Sequence, residues 1–159
     1  MKTYAFIDSQ NLKKSVEAIG QKIDYKRFRL WLGRKYGVDH AIMYFGYLPR
    51  EERHYAYLRK CGFDLKFRDV DFHLGKTKAN IDIFLTISAM DLMDDIEKAY
   101  LVTSDGDFFD LAERFKSLDK FGGVISPQNK NHCSTLLKKC SAGRIAYVPD
   151  LIHKFEDRT

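Results

Sequence analysis

A pair of carboxylates two residues apart is the strongest chemical signal in this sequence. Asp105 and Asp107 flank Gly106 directly after the apolar run 99–103 (AYLVT), and the glycine favours a tight turn between them. Two neighbouring carboxylates repel each other, and one takes up a proton unless a cation lies between them. Because carboxylate oxygens are ligands that Mg²⁺ prefers, the pair indicates a divalent-metal site.

Two further aspartates lie beside apolar segments. Asp8 ends the apolar run 3–8 (TYAFID), and Asp82 stands just before a long apolar stretch. Each also fits an ordinary structural role, since an acid caps a following helix or stabilises its positive end. Asn11, three residues after Asp8, is either an exposed helix residue or a polar group of the same pocket. We predict that all four acids gather in one pocket.

The composition is that of a globular protein with an excess of positive charge. Lysine and arginine number 27 and aspartate and glutamate 22, which gives a net charge of +5 and favours a polyanionic partner. No apolar run is long enough for a transmembrane helix, and an acid at position 8 comes too early for a signal peptide. Three cysteines without CxxC spacing argue against a disulfide framework and a zinc site. We therefore expect a cytoplasmic protein that does not act at a membrane.

Apolar strand patterns alternate with helical patterns, which predicts βαβ units and a parallel sheet covered on both faces. The predicted strands are residues 3–8, 40–48, 63–70, 99–103, 123–126 and 145–148. The predicted helices are residues 10–19, 25–36, 49–60, 79–93, 108–118 and about 133–140. The expected fold class is α/β, a three-layer α/β/α sandwich with a mostly parallel central sheet, in one domain over residues 1–159. Ligands of such sheets bind at the carboxyl ends of the strands, where we expect the acids to meet.

Three blocks of sequence in order resemble the NYN domain family, relatives of the PIN-domain ribonucleases. They are FIDSQN at residues 6–11, KANID at 78–82 and VTSDGDF at 102–108, and residues 126–139 resemble the tail of one NYN subgroup. The resemblance implies a Rossmann-like PIN fold and Mg²⁺- or Mn²⁺-dependent hydrolysis of RNA phosphodiester bonds. The residues expected to bind metal and act in catalysis are Asp8, Asp82, Asp105 and Asp107. The residues expected to position the substrate are Asn11, Ser104 and Lys78.

The expected partner is RNA, read in single-stranded segments whose bases are splayed apart. The candidate RNA contacts are Lys13, Lys14, Lys130, Lys138 and Lys139. The aromatic content of 14% fits either a rich core or a homodimer surface, and the sequence leaves that choice open.

Two other functions compete with a ribonuclease. Ser88 stands where many family members carry a further acid, which keeps a non-catalytic or weakly catalytic RNA-binding module as the alternative. An aspartyl-phosphate phosphatase also places an acid at the end of its first strand. Gln10, however, stands where that chemistry needs a second acid, which disfavours the phosphatase.

Overall fold

The computed structural model describes the backbone of residues 1–73, 76–78 and 80–157 and the side chains of residues 1–70 and 80–157. Its strands are β1 (Lys2–Ile7), β2 (His40–Gly46), β3 (Asp64–Arg68), β4 (Asp71–His73), β5 (Lys76–Lys78), β6 (Ile96–Val102), β7 (Phe121–Ser126) and β8 (Ile145–Tyr147). Its α-helices are α1 (Ser9–Ala18), α2 (Tyr25–Tyr36), α3 (Glu52–Lys60), α4 (Ile81–Asp91), α5 (Phe109–Ser117), α6 (Thr135–Ser141) and α7 (Val148–Leu151). Short 3₁₀ turns at Pro49–Glu51 and Gly106–Phe108 lead into α3 and α5.

Six strands form one parallel sheet in the order β3-β2-β1-β6-β7-β8. Strands β4 and β5 form a separate antiparallel hairpin between β3 and α4. The predicted mostly parallel central sheet is therefore confirmed.

The sheet is covered by helices on both faces, as the alternation along β1 shows. Tyr4 and Phe6 point into an apolar cluster that includes residues of α4, α5 and α6. Ala5 and Ile7 point into a second cluster, which includes residues of α1, α2 and α3. Successive residues of a strand face opposite sides of a sheet, so the two clusters lie on its two faces. This arrangement confirms the three-layer sandwich.

The structure differs from the sequence prediction mainly between residues 71 and 102. The hairpin of β4 and β5 was not predicted, because its three-residue strands (DFH and KTK) lack an alternating apolar pattern. Helix α4 begins at Ile81 rather than at residue 79, because Asn80 caps it by accepting from the Ile83 amide at 3.2 Å. Strand β6 begins three residues earlier than predicted, at Ile96.

The order of the strands places a crevice between β1 and β6. From β1 the chain continues to β2 and β3 on one side, then crosses to β6, β7 and β8 on the other. The strands that follow β1 in the chain are therefore added on one side of this point, and those that follow β6 are added on the other side. In open parallel sheets, ligands bind outside the carboxyl ends of the strands at such a switch point.

Two findings bear on the expectations from composition. Among the described residues, no helix has the length and the apolar character that a membrane crossing requires. The three cysteines are free thiols, and Cys133 and Cys140 pack in the core on the α6 side of the sheet.

Candidate metal centre

Asp8 lies where β1 leaves the sheet, beside the end of β6. Its amide donates to the Val102 carbonyl oxygen at 3.0 Å. Its carboxylate accepts from the Asn11 amide at 3.3 Å and from the Thr103 hydroxyl at 3.2 Å, so Asp8 caps α1. Asp8 is only 7% exposed, and this burial raises the pKa of its carboxyl group in spite of the two hydrogen bonds.

Thr103 connects Asp8 to Asp105. Its hydroxyl donates to the Asp8 carboxylate and accepts from the Asp105 amide at 3.1 Å. Asp105 in turn accepts from the Asp107 amide at 2.9 Å and so caps the 3₁₀ turn that follows. One hydroxyl thus fixes the backbone of the acid pair against Asp8. Thr103 is not among the site residues predicted from the sequence, because hydroxyl residues are common in loops and its partner Asp8 is distant in the chain.

Gly106 allows the Asp105–Asp107 turn to lie against the start of α6. A Cβ atom at Gly106 would lie 2.6 Å from the hydroxyl oxygen of Ser134, which caps α6. The backbone of Gly106 does not have a positive φ. The tight turn predicted from the sequence is present as the 3₁₀ turn, and the glycine is required there by this close approach rather than by a positive φ.

Asp82 approaches the acid pair from α4, the helix after the hairpin. It lies in the first turn of that helix. One carboxylate oxygen from each of Asp82, Asp105 and Asp107 forms a group within 4.8 Å of one another. Asp82 and Asp105 are half-buried and Asp107 is exposed, so this acidic cluster is reached from solvent on one side. We use "acidic cluster" below for these three residues.

The crowding of acids changes the ionisation of Asp82. Partial burial, followed by the charges of Asp8, Asp105 and Asp107, raises the pKa of Asp82 to about 6. Asp8 is outside the group of oxygens within 4.8 Å, but its charge acts on the same carboxyl. A cation between the carboxylates opposes this repulsion and favours their ionised forms.

The donor set of the acidic cluster suits a small divalent cation. Mg²⁺ binds oxygen at about 2.1 Å in an octahedron, so oxygens that share one ion lie roughly 3 to 4 Å apart. Oxygens already within 4.8 Å of one another reach that spacing by moving about 1 Å, or bind through water. Asp82, Asp105 and Asp107 are thus the residues that would hold Mg²⁺ or Mn²⁺.

Asn11 and Ser104 bond to each other rather than pointing freely into the crevice. The Ser104 amide donates to the Asn11 side-chain oxygen at 3.0 Å, and the Ser104 hydroxyl lies 2.9 Å from the same oxygen. The hydroxyl is also 3.2 Å from the Gln128 side-chain oxygen, a contact that the sequence analysis did not identify. These contacts hold the loop before Asp105 to α1 and to the segment after β7.

The NYN domain family model matches this sequence over residues 2–143, nearly the whole chain. The chain belongs to the NYN domain family. Its fold also resembles a crystal structure of a protein of unknown function from Vibrio parahaemolyticus, with a TM-score of 0.78 and 24% sequence identity. That similarity covers 98% of this chain and 96% of the other, so the two proteins share the fold over almost their full lengths. Among curated proteins, none matches this sequence.

Membership of the NYN family confirms the resemblance seen in the three sequence blocks. NYN domains belong to the PIN-like nucleases, which generally depend on divalent metal ions. The acidic cluster gives this NYN domain a matching group of carboxylates.

Ser88, which the resemblance led us to expect in place of a further acid, is buried and lies outside the acidic cluster. Its hydroxyl is 2.7 Å from the Tyr44 hydroxyl and accepts from the Lys66 ammonium group at 3.1 Å. Ser88 thus forms part of the packing of α4 against β2 and β3. The carboxylates that converge in this NYN domain do so without an acid at position 88.

The predicted RNA-binding lysines lie in different surroundings. Lys13 and Lys14 are exposed on α1, and the charge of Lys14 opposes the rise in the Asp8 pKa that burial causes. Lys130 and Lys139 are exposed near α6, whereas the Lys138 ammonium group donates to the Lys130 carbonyl oxygen at 2.9 Å. Lys138 therefore supports the loop before α6. The side chain of Lys78 lies outside the described residues.

Proposed function

We propose that this NYN domain is a ribonuclease that hydrolyses RNA phosphodiester bonds with the help of Mg²⁺ or Mn²⁺. The observation that carries the proposal is the convergence of three carboxylate oxygens within 4.8 Å at the switch point of the sheet. Capping accounts for Asp105, but it does not account for the position of Asp82, whose pKa is raised by burial and then by three neighbouring acids. A divalent cation bound between these carboxylates would offset their mutual repulsion, which explains why they lie so close together.

Each site residue has a distinct part in this proposal. The acidic cluster would bind the ion, and Asp8 adds negative charge beside it. A bound Mg²⁺ or Mn²⁺ supplies the positive charge that lowers the pKa of a water molecule and neutralises the reacting phosphate. Thr103, Asn11 and Ser104 hold the carboxylates in place through their hydrogen bonds, as groups behind metal ligands commonly do.

We propose single-stranded RNA as the substrate. An open groove runs past the acidic cluster and is lined by Asp82, Thr86, Ile87 and Asp107. Ile87 is 55% exposed, so this wall offers apolar surface to unpaired bases as well as carboxylates beside a phosphate. The net charge of +5 favours RNA over a neutral ligand.

Two observations concern where this activity takes place and whether it requires a dimer. The three cysteines are free, which suits the reducing cytoplasm, and we place the activity there. All the carboxylates come from one chain, so the homodimer that the sequence leaves open is not required to build the acidic cluster.

A cleavage assay tests the function. We expect a labelled single-stranded RNA of mixed sequence to be cut in Mg²⁺ or Mn²⁺ and to remain intact in EDTA. Asp105→Asn should lower the rate by on the order of 100-fold or more, since changes behind metal ligands already cost 10- to 100-fold.

Asp94→Asn is the matched control. Asp94 is exposed just before β6, at the opposite end of the sheet from the acidic cluster, and the same chemical change there should leave the rate unchanged. RNA binding without metal-dependent cleavage by the wild-type protein would contradict the proposal and establish the RNA-binding module instead.

A further inference from the structure

We propose that a cavity beside the acidic cluster is a subsite for one nucleobase of the RNA, adjacent to the phosphate that is cleaved. The inference rests on the proposed ribonuclease function and assigns the base-binding part of the same site. The cavity is open to solvent on one side and is bounded by the start of α1, the end of β2, the start of α3 and the residue that opens α4. We call it the base cavity.

The base cavity is lined by the chain neighbours of two site acids. Ser9 lines it and directly follows Asp8 in the chain, while Ile81 lines it and directly precedes Asp82. Consecutive Cα atoms are about 3.8 Å apart, so the cavity begins within one residue of two site acids. A nucleotide whose phosphate lies at the carboxylates therefore has its base within reach of this cavity.

The walls of the base cavity suit a flat ring. Phe45 is half-buried and supplies the aromatic surface, with its ring centroid 5.3 Å from that of the buried Tyr55 behind it. Leu48 and Ile81 contribute aliphatic surface. Bases bind to such surfaces by stacking, and the contact tolerates any base because each has a π-face. A phosphate would instead require several cations, and Lys13 is the lysine that lines the cavity.

The base cavity is larger than a site for a single water molecule. Its volume is about 120 Å³. This is several times the roughly 10–15 Å³ that one bound water requires, so the cavity has room for a larger group.

Polar side chains in the base cavity can read the edge of the base. Glu51 is half-buried and lines the cavity together with Gln10. A carboxylate accepts hydrogen bonds and donates none, so Glu51 pairs with the exocyclic amino group of cytosine. Uracil presents an oxygen at the same position and would be repelled. The geometry thus points to Glu51 as a specificity-determining residue that favours cytosine over uracil.

A second cavity lies beside the base cavity along α1. Lys13 and His54 line both cavities, and Glu17, Lys22 and Tyr25 also line the second one. Lys13 is exposed between them, where it can contact the next phosphate of the strand without regard to sequence.

Binding of two RNA probes that differ in one group tests the inference. The probes are fluorescein-labelled C12 and U12, measured by fluorescence anisotropy with Ca²⁺ replacing Mg²⁺ and with a gel to confirm that the RNA stays intact. We expect the wild-type protein to bind C12 more tightly than U12. Glu51→Gln should lower the ratio of the two affinities by about fivefold, because an amide also donates to uracil.

Two further variants separate sequence reading from charge. Glu97→Gln makes the same change on an exposed residue near the start of β6, far from the base cavity, and should leave the ratio unchanged. Lys13→Ala should weaken the binding of both probes by a similar factor. Lys35→Ala, in the last turn of α2, should leave the binding of both unchanged.

The possible outcomes distinguish this inference from the ribonuclease proposal. Metal-dependent cleavage combined with a C12 to U12 ratio that Glu51→Gln does not change would overturn the base cavity and leave the ribonuclease standing. A preference for C12 that Glu51→Gln removes, without cleavage of any RNA in Mg²⁺ or Mn²⁺, would support the base cavity and overturn the ribonuclease. Equal binding of C12 and U12 by the wild-type protein, or no RNA binding, would overturn the inference.

Discussion

The carboxyl group of Asp82 destabilises the folded protein when no cation is bound. Its pKa is raised from 3.8 to about 6, first by burial and then by the neighbouring acids. The folded protein therefore binds a proton at Asp82 more readily than the unfolded chain does. This penalty is present at pH 7 and disappears as the pH falls through 6 towards 4, because Asp82 becomes protonated in the folded state.

Replacement of Asp82 should consequently stabilise the metal-free protein. We expect Asp82→Asn to raise the free energy of unfolding at pH 7.5 in EDTA by about 1 kcal/mol, after allowance for solvent screening of a half-exposed group. The gain should shrink at pH 5. Urea unfolding followed by circular dichroism at both pH values measures it, with Asp94→Asn as the control.

Added Mg²⁺ should make the wild-type protein more stable than Asp82→Asn. A ligand that binds only the folded state stabilises it, so wild type should gain more from millimolar Mg²⁺ than Asp82→Asn does. A loss of stability in Asp82→Asn at pH 7.5 in EDTA would show that Asp82 has a structural role instead.

The site residues divide into those that the sequence revealed and those that it did not. Asp105 and Asp107 were found because an acid pair directly after an apolar strand is uncommon and has a chemical reason. Thr103 and Gln128 were missed because hydroxyl and amide residues are frequent in loops. Their roles depend on partners distant in the chain, such as Gln128 beside Ser104. The catalytic and metal-binding roles of Asp8 and the acidic cluster stay predictions.

At the scale of elements, the acid pair depends on how closely its turn packs against α6. Gly106 leaves no room for a side chain, since a Cβ atom would lie 2.6 Å from the Ser134 hydroxyl oxygen and 3.3 Å from the Ser134 Cβ atom. An added methyl group must move either the start of α6 or the turn that carries Asp105 and Asp107. A methyl group added at Gly106 would therefore shift the carboxylates of the acidic cluster, although Gly106 is not itself one of the residues that would hold the ion.

We expect Gly106→Ala to lower metal-dependent RNA cleavage by about tenfold or more, because small displacements of catalytic groups have effects of this order. The double variant Gly106→Ala with Ser134→Gly removes both close contacts and should recover most of the rate. Ser134→Gly alone is the control, since glycine is an acceptable helix cap and costs only a few tenths of a kcal/mol. Cleavage rates that are equal in wild type and Gly106→Ala would contradict this account of the turn.

The helices and strands of the sandwich were largely predictable, and the hairpin was not. Apolar runs bounded by polar residues gave β1, β2 and β6 to within a few residues, because buried parallel strands are apolar on both faces. The hairpin of β4 and β5 is short and polar, so its pairing has no local pattern. Helix α4 starts where Asn80 caps it, a detail that composition leaves open.

At the scale of the whole molecule, strand order converts distant motifs into one site. The parallel sheet brings the ends of β1 and β6 together, and the segment after the hairpin carries Asp82 to the same crevice. The sequence predicted a parallel sheet and acids at the ends of its strands. The sequence did not predict the distance between Asp82 and the acid pair, because that distance depends on how α4 packs against the sheet.

Crystals soaked in Mn²⁺ test the central claim most directly, since anomalous scattering identifies the ion. We expect one or two anomalous peaks at the acidic cluster, with carboxylate oxygens of Asp82, Asp105 and Asp107 bound directly at roughly 2 Å or through water. The peaks should be lost in Asp105→Asn crystals. Crystals soaked to saturation with Mn²⁺ that show no anomalous peak at these three residues, or peaks only elsewhere on the protein, would contradict the proposed metal site.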